Sequence, residues 1–123
     1  MLKIALDLDN TITHRPDFFA AFTHSISRRA EIHVITDRDT SAESERETRE
    51  ELKKLGIYFD RLVITGQKSR YIKEAGITIY FEDTDEYFLD LPESVTVFKI
   101  REPGNFDFDQ HKWIYGDRTG RRI

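Results

Sequence analysis

What most constrains this chain is a repeated pairing of a short apolar run with a helix-like segment. The runs are KIALDL at 3–8, EIHVIT at 31–36, RLVIT at 61–65, ITIYF at 77–81 and VTVFKI at 95–100. Each is too short for an ordinary helix, and most are apolar at consecutive positions, as in strands buried on both faces. Helical signals fill the gaps. Pro16 precedes Phe18, Phe19, Ala21, Phe22 and Ile26, a spacing that suits a helix with one apolar face and proline in its first turn. Thr40 and Glu43 have the spacing of a capping box, opening a charged helix over 43–54 that Gly56 stops. Residues 69–75 predict a short helix ending at Gly76. Strands alternating with helices predict a three-layer α/β sandwich around a central, mainly parallel sheet, with ligands beyond the carboxyl ends of its strands.

A length of 123 residues leaves room for one domain, 1–123, with roughly 65% of the unfolded surface buried in a single core. Charge argues against a nucleic-acid partner. The chain carries 19 basic and 23 acidic side chains, a formal net charge of −4, whereas nucleic-acid binders need a dense basic surface. The absence of cysteine excludes disulfides, thiolate catalysis and Cys-ligated zinc. Acids at positions 7 and 9 interrupt the first apolar run, so no signal peptide is expected, and nothing approaches the ~20 apolar residues of a membrane helix. The expectation is a cytoplasmic protein with no membrane partner.

The polar residues of interest fall where the apolar runs end. Asp7 and Asp9 close the first run, Thr36 and Asp37 the second, Lys68 follows the third, and Glu82 and Asp83 follow the fourth. Asp7 and Asp9 are two apart, so on extended backbone their side chains leave the same side. Two close carboxylates repel unless a cation neutralises them. Oxygen ligands without His or Cys suit Mg²⁺, with Asp7, Asp9, Asp83 and Glu82 as its candidates. Thr36 and Lys68 can each bind phosphoryl oxygens, and Asn10 and Asp37 lie close in sequence as further substrate contacts. A carboxylate nucleophile, a second carboxylate as acid and base, a metal and two phosphate binders make a phosphoryl-transfer site.

DLDNT at 7–11 resembles the DxDxT motif of the haloacid dehalogenase superfamily of phosphatases and phosphotransferases. Three further motifs follow in that superfamily's order: VIT at 34–36, Lys68 before a helix, and the acidic pair at 82–83. The resemblance covers positions 3 to about 100 and implies a Rossmann-like core. It implies Asp7 as the nucleophile that becomes aspartyl phosphate and Asp9 as the acid that protonates the leaving oxygen, then activates water. Thr11 steadies the loop, and Thr36 and Lys68 hold the phosphoryl group. Mg²⁺ binds the Asp7 carboxylate, the Asp9 backbone carbonyl and Asp83. Glu82 departs from the commoner Asp or Gly before that ligand, and its longer side chain is expected to act through water. Caps in the superfamily enter after the first motif or after the third strand. Only 24 positions separate Thr11 from Thr36, and Thr65 nearly abuts Lys68, so the expected form is capless.

The predicted function is Mg²⁺-dependent hydrolysis of a phosphate monoester, small or bulky, with a homo-oligomer as one way to wall an open site. The alternatives are a 5′-nucleotidase, suggested by the many aromatics, and a non-catalytic Mg²⁺-binding regulator on the same fold. Response-regulator receiver domains use similar residues, but their order differs: the phosphorylated Asp sits on strand three, where this chain has Val63-Ile64-Thr65. Arg38 is expected either to face substrate or to pair with a local carboxylate. Asp85, Glu86 and His14 read as polar surface. Residues 110–123 read as a short edge strand around Trp113 and Tyr115 or a flexible tail, made basic by Arg118, Arg121 and Arg122.

Overall fold

The computed structural model describes residues 1–114; the expectations for Tyr115, Arg118, Arg121 and Arg122 lie outside the described residues. Five strands, β1 (Leu2–Asp7), β2 (Ala30–Thr36), β3 (Arg61–Ile64), β4 (Ile79–Glu82) and β5 (Thr96–Lys99), form one all-parallel sheet in the order β3-β2-β1-β4-β5. Three helices flank it, α1 (Pro16–Ile26), α2 (Ala42–Lys54) and α3 (Lys68–Ala75). The architecture is thus α/β in three layers, consistent with a Rossmann-like core.

Crossover handedness accounts for the layering. The chain steps from β1 to β2 to β3 in one direction, then returns past β1 to lay down β4 and β5 on its other side. Right-handed crossovers therefore put α1 and α2 on one face and α3 on the other. The core divides accordingly. Ile4, Leu6, Ile32 and Val34 pack with Phe19 of α1 and Leu52 of α2, while Ala5, Ile35 and Tyr80 pack with Ile72 of α3 and with Ile77. Between β4 and β5 there is no α-helix, only a short turn at Asp85–Tyr87. Phe88, Leu91 and Val95 from that connection cover the α3 face of the sheet. The segment after Thr11 holds α1, and β3 connects to α3 through the loop 65–67, with no inserted domain at either place.

Several boundaries move from their expected places, each for a local reason. The Thr40–Glu43 capping box does not form. Ser41 caps α2 instead, its hydroxyl accepting from the Ser44 backbone N–H at 3.1 Å. Glu43 and Glu45 remain in the first turn, where negative charge suits the positive end of the helix dipole. Residues 77–78 are not in β4. Gly76 stops α3 in the left-handed conformation (φ 72°), and the Ile77 N–H turns back to the Ile72 carbonyl. The strand thereby shifts to end on Glu82, which puts Tyr80 and Glu82 on the same side of the sheet. The edge strand expected around Trp113 does not join the central sheet. Phe106–Asp107 (β6) and Lys112–Trp113 (β7) form their own antiparallel ribbon. Side chains pin that ribbon: the Trp113 ring sits 3.6 Å from Lys99 Nζ and meets Phe106 edge-on. Among the described residues, no helix is long and apolar enough to cross a membrane.

The capping assignment has a direct check. Ser41→Ala should lower unfolding stability by about 1 kcal/mol in urea denaturation, whereas Thr40→Ala should stay within about 0.5 kcal/mol of the parent.

Candidate functional site

The reversal of chain direction at β1 opens a crevice at the carboxyl ends of β1 and β4, because the connections leaving these neighbours go to opposite faces. Asp7 ends β1 and Glu82 ends β4. Beyond Asp7 the chain makes one wide, irregular turn, Leu8–Ile12. Asp9 keeps an extended backbone and Asn10 adopts a left-handed one (φ 64°), a conformation that Asn tolerates better than most residues. The Asn10 N–H donates to Thr13 Oγ1 at 2.9 Å. Inside the turn, buried Thr11 donates its hydroxyl to Asp7 Oδ2 at 3.0 Å.

At the bottom of the crevice lies a buried ion cluster. Lys68, the first residue of α3, places Nζ 2.6 Å from Asp7 Oδ1 and 3.1 Å from Glu82 Oε1. The three side chains are only 3%, 4% and 1% exposed, so these are ion pairs in low dielectric. The Tyr87 ring closes over the ammonium, its centroid 4.2 Å away, and the Tyr87 hydroxyl donates to Asp37 Oδ2 at 2.8 Å. Both Glu82 oxygens are engaged: Oε1 accepts from Lys68 and the Tyr80 hydroxyl, Oε2 from the backbone N–H groups of Asp83 and Thr84. Asp83 is buried beside them, its carbonyl accepting from Asn105 Nδ2 at 2.9 Å.

Asp9 stands apart. Arg38 grips its carboxylate with two contacts, Nη2 to Oδ1 at 2.6 Å and Nε to Oδ2 at 3.0 Å, and Thr36 Oγ1 reaches Oδ2 at 3.4 Å. Glu51 and Thr48 of α2 brace the Arg38 guanidinium at 2.9 and 3.3 Å.

The structure thus gathers Asp7, Thr11, Lys68, Glu82 and Asp83 into one cluster, and draws Thr36 to Asp9. Asn10 and Asp37 are both exposed, and Asp37 accepts from the Tyr87 hydroxyl. Asp85, expected in a solvated turn, is buried and paired with Lys99 at 2.6 Å. Two contributors, Tyr80 and Tyr87, escaped the sequence reading. Tyr80 carried a usable signal, since it lies two residues before Glu82 on a strand and so shares its face. Arg38 was weighed as a partner for some carboxylate, but nothing in the sequence singled out Asp9. Nothing marked Tyr87.

Burial and the nearby Glu82 charge push the Asp7 carboxyl up to about 9, against the pull of Lys68. Burial likewise raises Glu82. For Lys68, burial works against the charged form, but Asp7 and Glu82 outweigh it and hold the ammonium above its ordinary range. Asp9 goes the other way: the Arg38 hydrogen bonds hold it below the usual carboxylate range.

Asp7, Glu82 and Asp83 can each offer one carboxylate oxygen, all within 4.8 Å of one another. Three carboxylates and one ammonium sum formally to −3 + 1 = −2, the charge a divalent cation would neutralise. An all-oxygen donor set suits a hard cation. Glu82 accepts four hydrogen bonds, two at each oxygen, whereas Asp7 accepts one at each, so Asp7 and Asp83 are the carboxylates with lone pairs left for a ligand role. Compared with known proteins, the chain matches no family model and no curated sequence.

These shifts fix the sign of a pH dependence. Asp7 and Glu82 hold protons more tightly folded than unfolded, so the metal-free protein should lose stability as pH rises from about 4 through about 9. The Asp9 shift acts only below its ordinary value of 3.8, outside that window. Thermal melts in chelator across pH 5–9 should show a falling midpoint, and millimolar Mg²⁺ should flatten the slope by binding the deprotonated carboxylates. A midpoint that rises with pH in chelator would contradict the cluster.

Proposed function

We propose that the chain is a capless phosphatase of the haloacid dehalogenase type, hydrolysing a phosphate monoester through an aspartyl phosphate on Asp7. The single observation that carries this reading is the buried Asp7–Lys68–Glu82 cluster beside Asp83, at the crevice where an α/β sheet binds ligands. Asp7, Lys68, Glu82 and Asp83, from three of the four motifs, support this reading by lying together, and Thr36 of the remaining motif reaches Asp9. The reading includes Mg²⁺ and a cytoplasmic setting. Asp7 and Asp83 would hold the ion, which supplies charge neutralisation for the phosphoryl oxygens when bound.

The remaining chemistry belongs to the chain. An Asp7 oxygen attacks phosphorus, the bond to the leaving oxygen breaks, and Asp9 gives that oxygen a proton. Water then attacks the same phosphorus, the bond to Asp7 breaks, and Asp9 takes the proton of the water. The Arg38 grip favours ionised Asp9, the form the second half needs, and works against the protonated form the first half uses. Lys68 orients the nucleophile through its 2.6 Å contact and adds positive charge where the phosphoryl group docks. Thr11 fixes the other Asp7 oxygen. Glu82 and Tyr80 hold Lys68 in place rather than meeting substrate.

With an activated aryl phosphate, Mg²⁺-dependent turnover should fall about a thousandfold or more in Asp7→Asn. Retention of parent activity would remove Asp7 as the nucleophile. Asp9→Asn should impair hydrolysis of the intermediate more than its formation, because an activated leaving group needs little acid help. Phosphoenzyme should then accumulate in acid-quenched samples, visible by intact-protein mass spectrometry.

A further inference from the structure

On the α1 side of the sheet, at the residue before Glu82, lies an apolar hollow of about 280 Å³. Its walls are Phe18, Phe19, Phe81 and Ile100, with His14 and Arg15 at the rim. The hollow is tied to the site through backbone. The N–H groups of His14 and Arg15 both donate to the Thr11 carbonyl, and the Thr11 side chain holds Asp7. Phe81 directly precedes Glu82, and the Ile100 N–H donates to the Glu82 carbonyl at 2.9 Å. Both walls therefore continue from residues that build the phosphoryl site.

The lining decides what class of group fits. Phe18 meets Phe19 edge-on at 5.0 Å and 82°, Phe19 meets Phe81 at 5.6 Å and 89°, and Phe18 lies flat on Phe22 at 5.5 Å. Rings fixed this way present edges and faces to a further ring, which favours an aromatic guest over an alkyl chain of equal area. Arg15 is already paired with Asp17 at 3.1 Å, so the rim does not offer a spare guanidinium to a second anionic group. Size agrees: about 150 Å³ suffices for benzene, and this hollow has room for a ring and a short linker. Phe18 is 47% exposed, an apolar ring left partly open beside a polar crevice.

We propose that this hollow receives an aromatic ring on the leaving alcohol, so that the preferred substrates are phosphate monoesters of ring-bearing alcohols. The proposal rests on the phosphatase reading and names the substrate class of that site. The ring can be an aryl group or a nucleobase, which share a flat face, and two arms of the test separate them.

The test compares matched pairs at saturating Mg²⁺. 2-Phenylethyl phosphate is set against n-butyl phosphate, whose leaving alcohols differ little in acidity, and a nucleoside 5′-monophosphate against ribose 5-phosphate. The ring-bearing member of at least one pair should be preferred about tenfold in kcat/KM, roughly what covering one ring face contributes, with most of the gain in KM. Preference in the first pair alone identifies an aryl group, and in the second alone a nucleobase. Phe18→Ala should bring the ratio toward one, and Phe18→Trp, which keeps a ring, should preserve it. Phe18 is half-exposed, so neither change hollows the core, and circular dichroism checks that both variants fold. Turnover of all four esters without a ring preference, or a preference untouched by Phe18→Ala, would overturn the hollow's role and leave the phosphatase reading standing. No turnover of any ester would overturn the phosphatase reading itself and the substrate class with it.

Discussion

An ammonium buried between two carboxylates is costly to assemble, and the arrangement of Lys68, Asp7 and Glu82 depends on elements far apart in the chain. Asp7 closes β1, Glu82 closes β4, and Lys68 opens α3. No two of them are near in sequence. Desolvating three charges costs several kcal/mol per ion, returned only where contacts are short and the remaining donors and acceptors are satisfied. The contacts are short here, 2.6 and 3.1 Å, and the backbone N–H groups after Glu82 complete its shell. The cluster therefore acts as a registration device. Sliding β4 by one residue against β1 would turn Glu82 to the α1 face and strand Lys68 with a single partner.

A second electrostatic unit lies one strand away and is kept distinct from the first. Arg38 takes both oxygens of Asp9, and α2 takes the rest of its guanidinium through Glu51 and Thr48. The effect is to separate two carboxylates only two residues apart. Asp7 faces the ammonium and is pushed toward its protonated form by burial, whereas Asp9 faces a guanidinium and stays ionised. Two acids only two residues apart thus differ in proton affinity because burial dominates at one and a guanidinium at the other. The wide turn Leu8–Ile12 makes the separation possible, because left-handed Asn10 redirects the chain immediately after Asp9.

The strands and the polar residues at their ends were legible in the sequence because each was marked by local pattern. Consecutive apolar residues marked all five central strands, and the acids, hydroxyl and amine at their ends stood out against those runs. What stayed hidden depended on contacts between segments. Arg38 reaches Asp9 across 29 positions of chain, and Tyr87 reaches Asp37 across 50. No periodicity records such pairings. The start of α2 was misplaced by one residue because Thr40 and Ser41 are chemically equivalent caps, and only the backbone turn decides between them. Trp113 alternates with polar neighbours as an edge strand does, yet its ring is held by Lys99 and Phe106 rather than by a ladder to β5. Asp85 looked solvated because its partner Lys99 lies on the next strand.

The missing helix between β4 and β5 shapes the open side of the crevice. In a regular β–α–β unit a helix would cover the sheet there. The short turn Asp85–Tyr87 instead folds Tyr87 back over the ammonium and ties its hydroxyl to Asp37 at the end of β2. One aromatic strap thus bridges the crevice from the β4 side to the β2 side and limits water at the buried pair. The strap lies over the ion cluster, and the phenylalanine hollow lies on the α1 face of the sheet. The strand ends thus present polar groups, while the α1 face beyond Phe81 presents apolar rings.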